Sequence, residues 1–241
     1  MTIADRRARE RANRERLIVE HADDLLAQHG YHGFNLDELA DRIEYSKATI
    51  YNHYDSKEDL LAAVDLRHLH KRADLFGKAL IFEGTTRERM FVVEWADRIM
   101  AGTFPHWSTL HQLMCTRSFM EKVSGERQKS IGKTSTRCFS VAYEIIRQGR
   151  ACGELPPEAP PEAQILSGLI SLAKGAHLLD ESENLPPESG IQPLIMLNEN
   201  YHIYLDGVGW TPFRNAFDYG ATEERIKREV FADELASLAI A

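Results

Sequence analysis

The chain has 241 residues, 43% of them hydrophobic and 27% charged, with 29 Lys+Arg against 37 Asp+Glu for a formal net charge of −8. That composition excludes a mainly disordered chain, and the length fits either one large domain or a small domain joined to a larger one. Taken alone, the acidic balance argues against a nucleic-acid partner, because duplex DNA is bound chiefly through Lys and Arg.

In chain order, the opening Met-Thr-Ile-Ala-Asp-Arg-Arg places charges where a signal peptide has its apolar segment. The longest run near the C-terminal half without a charge or strong breaker, 163–173, is too short to span a bilayer. A cytoplasmic protein with no membrane partner is expected. Over residues 1–16, Arg6, Arg7, Arg9, Arg11, Arg14 and Arg16 stand against only Asp5, Glu10 and Glu15, so the chain opens with a basic arm, 1–13, running into the first helix. From Arg14 to Gly30 the apolar residues Leu17, Ile18, Ala22, Leu25 and Leu26 recur at helical spacing, and Gly30 stands where a glycine cap belongs. Asn35 followed by Glu38 reads as a capping box opening a short second helix, with Leu36, Leu39, Ala40 and Ile43 on one face. Ser46 caps a third, very short helix from Lys47 to His53, and Ser56 restarts the chain as helix at Lys57.

Long helices are expected at 57–82, 86–103, 106–122 and 126–150. The proline-rich stretch 153–161 ends this series, and 162–179 resumes as an apolar helix rich in small residues. A second break covers 184–192, a helix spans 193–205, 206–219 is loop-like, and 222–238 closes as an amphipathic helix. No alternating strand pattern competes, so the fold class is all-α. Cys115, Cys138 and Cys152 are too widely spaced for a zinc knuckle or a disulfide framework.

A short helix, a tight turn and a second short helix, preceded by a longer helix and a basic arm, is the layout of a helix-turn-helix DNA reader. One helix braces across the backbone while the next enters the major groove, where each base pair displays its own donor and acceptor pattern. In the expected recognition helix Ala48 permits close approach. Lys47, Thr49, Tyr51, Asn52 and His53 can donate hydrogen bonds, and Ile50 faces Leu39 and Ile43. Ser56 and Lys57 open the following helix, where free N–H groups and an ammonium suit a phosphate.

The stretch from Asn35 to Leu61, above all Ser-Lys-Ala-Thr-Ile-Tyr-Asn-His-Tyr at 46–54 followed by Ser-Lys-Glu-Asp-Leu at 56–60, resembles the DNA-binding signature of the TetR/AcrR transcriptional regulators. Two departures from that signature stand out: Asn35 stands where the family usually has Thr, and Glu44-Tyr45 where it has Gly-Val. The resemblance implies that residues 14–62 are a three-helix reader and 63–241 a helical ligand-binding and dimerisation domain. Its implied DNA-binding set is Asn35, Ser46, Lys47, Ala48, Thr49, Tyr51, Asn52, His53, Tyr54 and Lys57. It further implies a homodimer on a palindromic operator of double-stranded DNA, released by a small apolar or aromatic effector.

Under that reading 162–179 and 193–205 are the dimer helices, with Leu166, Leu169, Ile170, Ala173, His177, Leu197, Tyr201 and Tyr204 as interface candidates. A pocket would draw on Trp95, Phe104, His106, Trp107, His111, Met114, Phe139 and Tyr143, with Met100, Leu110 and Phe119 beside them. Core packing is the competing reading for every one of these. No cofactor, metal or catalytic residue is expected. Gly132-Lys133-Thr134 lacks the first glycine of a phosphate loop, since Arg127 stands there. His68 and His70 diverge on one helix, and His106 and His111 match no ligand pair. A helical enzyme or an interaction module without DNA binding is the alternative.

Overall fold

All regular structure is helical in the computed structural model, which describes residues 2–182 and 185–240; Asn184, at the start of the second break, lies outside the described residues. In chain order the helices are α1 (Ile3–Gly33), α2 (Leu36–Arg42), α3 (Lys47–Tyr51), α4 (Lys57–Gly77), α5 (Thr86–Thr103) and α6 (Pro105–Met114). They continue as α7 (Arg117–Met120), α8 (Gly125–Ala151), α9 (Glu162–Asp180), α10 (Pro193–Gly207), α11 (Tyr219–Arg225) and α12 (Ala232–Ile240). No helix among the described residues is long and apolar enough to cross a membrane.

The basic arm is itself helical. Thr2 and Asp5 form a reciprocal capping box, Thr2 Oγ1 accepting from the Asp5 N–H at 3.2 Å and Asp5 accepting from the Thr2 N–H at 2.8 Å, which starts α1 at Ile3. Gly30 then takes φ 65° and kinks the helix before its last turn at Gly33, a conformation that glycine adopts without strain.

The chain divides into two compact units. One holds the residues up to Lys71 together with Met100–Thr136. Its core is built from Ile18, Leu25 and Leu26 of α1, Leu39 of α2, Ile50 of α3, Leu60 and Leu61 of α4, and Leu110 and Met114 of α6. The expected helix 106–122 is interrupted at Cys115–Thr116 and becomes α6 and α7. Asp59 at the start of α4 accepts from the Ser124 N–H and from Arg127 Nε, both at 3.0 Å, which fastens the start of α8 to the reader.

The other unit holds Arg72–Ile99 and the residues from Arg137 onward. There α9 and α10 form an antiparallel pair. Tyr201 donates to the Leu169 carbonyl at 3.1 Å and Tyr204 to the Gln164 and Ile165 carbonyls at 3.2 Å. Arg87 of α5 is fully buried and donates to Asp206 and to the Trp210 carbonyl, each at 2.6 Å.

The C-terminal segment carries much of this unit's organisation. Thr222 of α11 donates to Glu88 at 2.7 Å, Arg225 to the Glu83 carbonyl at 2.7 Å, and Lys78 to the Val230 carbonyl at 2.9 Å. The expected helix 222–238 is broken by a π-helical turn at Ile226–Val230, whose Ile226 and following Phe231 are fully buried.

Candidate nucleic-acid interface

The reader is set by its caps. Asn35 accepts from the Asp37 N–H at 2.9 Å and starts α2. The expected capping box with Glu38 does not close, because the Glu38 carboxylate lies 3.2 Å from His29 Nε2. Helix α2 ends in a Schellman arrangement, with the Tyr45 N–H on the Ala40 carbonyl at 2.9 Å and the Glu44 N–H on the Asp41 carbonyl at 3.2 Å. Glu44 occupies the left-handed position at φ 56°. The turn therefore keeps the backbone that a glycine would give, at a steric cost of about 1 kcal/mol.

Ser46 caps α3 by accepting from the Thr49 N–H at 3.1 Å, and buried Ile50 fixes the helix's rotation. Of the expected DNA-binding residues, Ser46, Lys47, Ala48, Tyr51 and Asn52 are exposed and Thr49 is half-buried. Tyr51 leaves 49% of its surface open. Lys47 pairs across the turn with Asp37 at 2.7 Å, a contact between exposed side chains that is cheap to exchange for another anion.

His53, Tyr54 and Lys57 are differently placed. His53 Nδ1 lies 3.2 Å from Glu15, and Tyr54 donates to the Glu15 carbonyl at 3.3 Å from a buried ring. Burial pushes the Tyr54 phenol well above its ordinary range. Lys57 donates to the Phe34 carbonyl at 2.8 Å and sits over the Tyr31 and Phe34 rings. These three contacts hold α1, α3 and α4 in one arrangement. In the helical arm Arg6 pairs with Glu10 at 3.6 Å and Arg11 with Glu15 at 3.0 Å, while Arg7, Arg9, Arg14 and Arg16 are exposed.

The expected pocket residues fall in both units. Trp107 donates to Asp65 at 2.8 Å, His111 Nδ1 lies 2.9 Å from the same oxygen, and Phe104 lies against His68 with ring centroids 4.2 Å apart. Met100, Leu110, Met114 and Phe119 are buried core, Phe139 is exposed and Tyr143 half-buried. Of them, Trp95 alone lines a cleft of about 290 Å³ in the second unit. Its other walls include Phe91, His202, Arg214, Phe217 and Tyr219. These escaped the sequence reading because the C-terminal segment supplies three of the five and carries no motif.

Phe91, His202 and Tyr219 pack at centroid separations of 4.4–5.3 Å. Burial and the neighbouring Arg87 hold the His202 imidazole down to about 4, against a smaller opposing pull from Asp206 and Glu223.

Four of the eight dimer candidates, Leu166, Leu169, Leu197 and Tyr201, are buried inside the single chain and leave little open surface. Ile170, Ala173, His177 and Tyr204 are half-buried. The open apolar side chains of this pair are Leu178, Leu179, Ile195, Met196 and Ile203.

A brace helix, a left-handed turn and a short helix pinned by one buried isoleucine, with its polar side chains turned out, define a helix-turn-helix reader. Residues 18–64 match the bacterial regulatory proteins of the tetR family. This segment is of the tetR-family type.

The chain is 33% identical over 80 residues to the transcriptional activator FasR of Mycolicibacterium smegmatis, a stretch covering 33% of this chain and 36% of FasR. It is 37% identical over 43 residues to IcaR of Staphylococcus epidermidis, the negative transcriptional regulator of the biofilm operon icaADBC, covering 18% of this chain and 23% of IcaR. It thus spans about a third or less of these curated relatives. The fold is shared more widely. FadR of Bacillus subtilis, solved with stearoyl-CoA, superposes with a TM-score of 0.62 at 14% identity over 80% of this chain and 98% of that one. A TetR/AcrR regulator of Thermobifida fusca gives 0.59 at 22% identity over 81% and 98%.

Proposed function

We propose that the protein is a ligand-responsive transcriptional regulator that binds a palindromic operator as a homodimer and is released by a small effector with an apolar or aromatic body. The observation that supports this reading is α3, where Ile50 is buried while Lys47, Ala48, Tyr51 and Asn52 are exposed, the arrangement a groove-reading helix needs. Ser46 and Thr49 approach the backbone, Asn35 starts the brace helix, and His53, Tyr54 and Lys57 hold the reading helix in place. The exposed arginines of the helical arm supply charge for phosphates.

The aromatic cleft formed by Phe91, Trp95, His202, Phe217 and Tyr219, with Arg214 at its edge, is the effector site in this reading, and it suits a compact aromatic molecule. An effector that prefers wrongly spaced reading heads lowers DNA affinity by its coupling energy.

Anisotropy titration of the DNA upstream of the protein's own gene tests the reader. Binding should fall steeply with salt, and Tyr51→Ala and Lys47→Ala should each weaken it by about tenfold with the fold intact. Binding indifferent to both substitutions rejects the assignment.

A further inference from the structure

Three helices of the first unit bring Asp23 of α1, His68 of α4 and His106 of α6 to one point. His68 Nε2 lies 2.7 Å and His106 Nε2 2.8 Å from the same oxygen, Asp23 Oδ1. All three donor atoms lie within 4.8 Å of one another. Asp23 and His68 are buried, while the His106 side chain keeps 13% of its surface open. None of these residues belongs to the reading surface or to the aromatic cleft.

We propose that Asp23, His68 and His106 form a binding site for one divalent transition-metal ion of the zinc type. Two imidazoles and one carboxylate are a donor set that zinc and its neighbours favour, whereas magnesium and calcium call for oxygen ligands. Tetrahedral zinc with bonds near 2.0–2.1 Å separates its donors by about 3.3 Å, so each imidazole retreats by about 0.5 Å. Each ring then carries its proton on Nδ1, and the fourth position opens toward water on the His106 side.

The nearest cation, Arg67, lies 3.8 Å from Asp23 Oδ2 and is half exposed, so it can turn to solvent. The neighbouring cluster lacks this capacity. There Asp65 meets one imidazole, His111, and the indole N–H of Trp107, which cannot ligate a metal. A cation at Asp23 would link α1, which carries the basic arm, to α4 and α6.

The test uses the full chain, stripped with a chelator and titrated near neutral pH with zinc chloride and, in parallel, with cobalt chloride. One ion per chain, a raised unfolding temperature and a four-coordinate cobalt spectrum without a thiolate charge-transfer band are expected. His106 sits at the edge, so His106→Ala and the milder His106→Gln should fold like the stripped protein and bind at least about tenfold more weakly. His111→Ala should bind as the unaltered chain does. No uptake by the unaltered protein, a thiolate band, or binding by the His106 variants as tight as that of the unaltered chain would overturn the site.

Discussion

Glu44 is the residue whose local chemistry and backbone disagree most plainly. A side chain in the left-handed region crowds its own carbonyl, and the Schellman bonds around it hold it there. Glu44→Gly should raise stability by about 0.5–1 kcal/mol, the relief of strain being partly offset by the freer unfolded chain. Urea unfolding at one protein concentration checks this, and a destabilised variant would show that Glu44 supplies a contact worth more than its strain.

His202 gives a second prediction. Its imidazole titrates at about 4 in the fold and near 6.5 when unfolded, so between those values the unfolded chain binds the extra proton. Stability is retained above pH 6.5 and lost as pH falls toward 4. Glu94 slopes the other way: burial raises its carboxyl to about 7, so the fold loses stability as pH rises from 4.5. The comparison must therefore be with His202→Asn, against which the unaltered protein should lose about 2 kcal/mol between pH 6.5 and 4.5. Parallel unfolding curves would sink this account.

At the scale of elements, the ends marked by caps and prolines were legible and the interruptions inside long apolar patterns were not. The range 86–103 matches α5, and 162–179 falls one residue short of α9. A 3₁₀ turn at Lys78–Leu80, the break at Cys115–Thr116 and the π-helical turn at Ile226–Val230 all preserve a nearly helical side-chain period, so periodicity alone runs through them. The histidines show the same limit at the site. His68 and His106 are unremarkable within their own helices and meet only through packing with α1.

Small residues in α9 were legible, and one has a specific use. A Cβ at Gly168 would stand 2.2 Å from the Tyr204 hydroxyl and 2.3 Å from its ring. Alanine in a helix gains about 1 kcal/mol over glycine, but Tyr204 would have to leave both backbone acceptors and its packing against α9. Gly168→Ala should thus destabilise by about 1–2 kcal/mol, and Tyr204→Ala in the same chain should reverse the sign, as a double-mutant cycle by urea unfolding would read.

For the whole molecule the acidic total does not conflict with the proposed DNA partner, because positive charge is concentrated rather than abundant. Residues 1–72 hold 12 Lys+Arg and 14 Asp+Glu, yet six of those arginines lie in the first 16 residues, on a helix that a sequence reading takes only as an arm. A single reader with such local charge has modest affinity, so operator binding in the proposed function depends on two readers acting together. The open side chains on α10 are where that pairing can be broken without touching the fold, because Ile203 is 62% and Ile195 72% exposed. A glutamate at an exposed position costs little within one chain, whereas two of them facing each other across a two-fold interface are desolvated and repel. Ile195→Glu with Ile203→Glu should leave the helical content and the metal titration unchanged and sediment as a monomer. The same variant should bind a palindromic operator at least about 100-fold more weakly while keeping the weaker, salt-sensitive binding to a half-site. A variant that stays dimeric would move the interface off α10, and a monomer with full operator affinity would remove the need for a dimer.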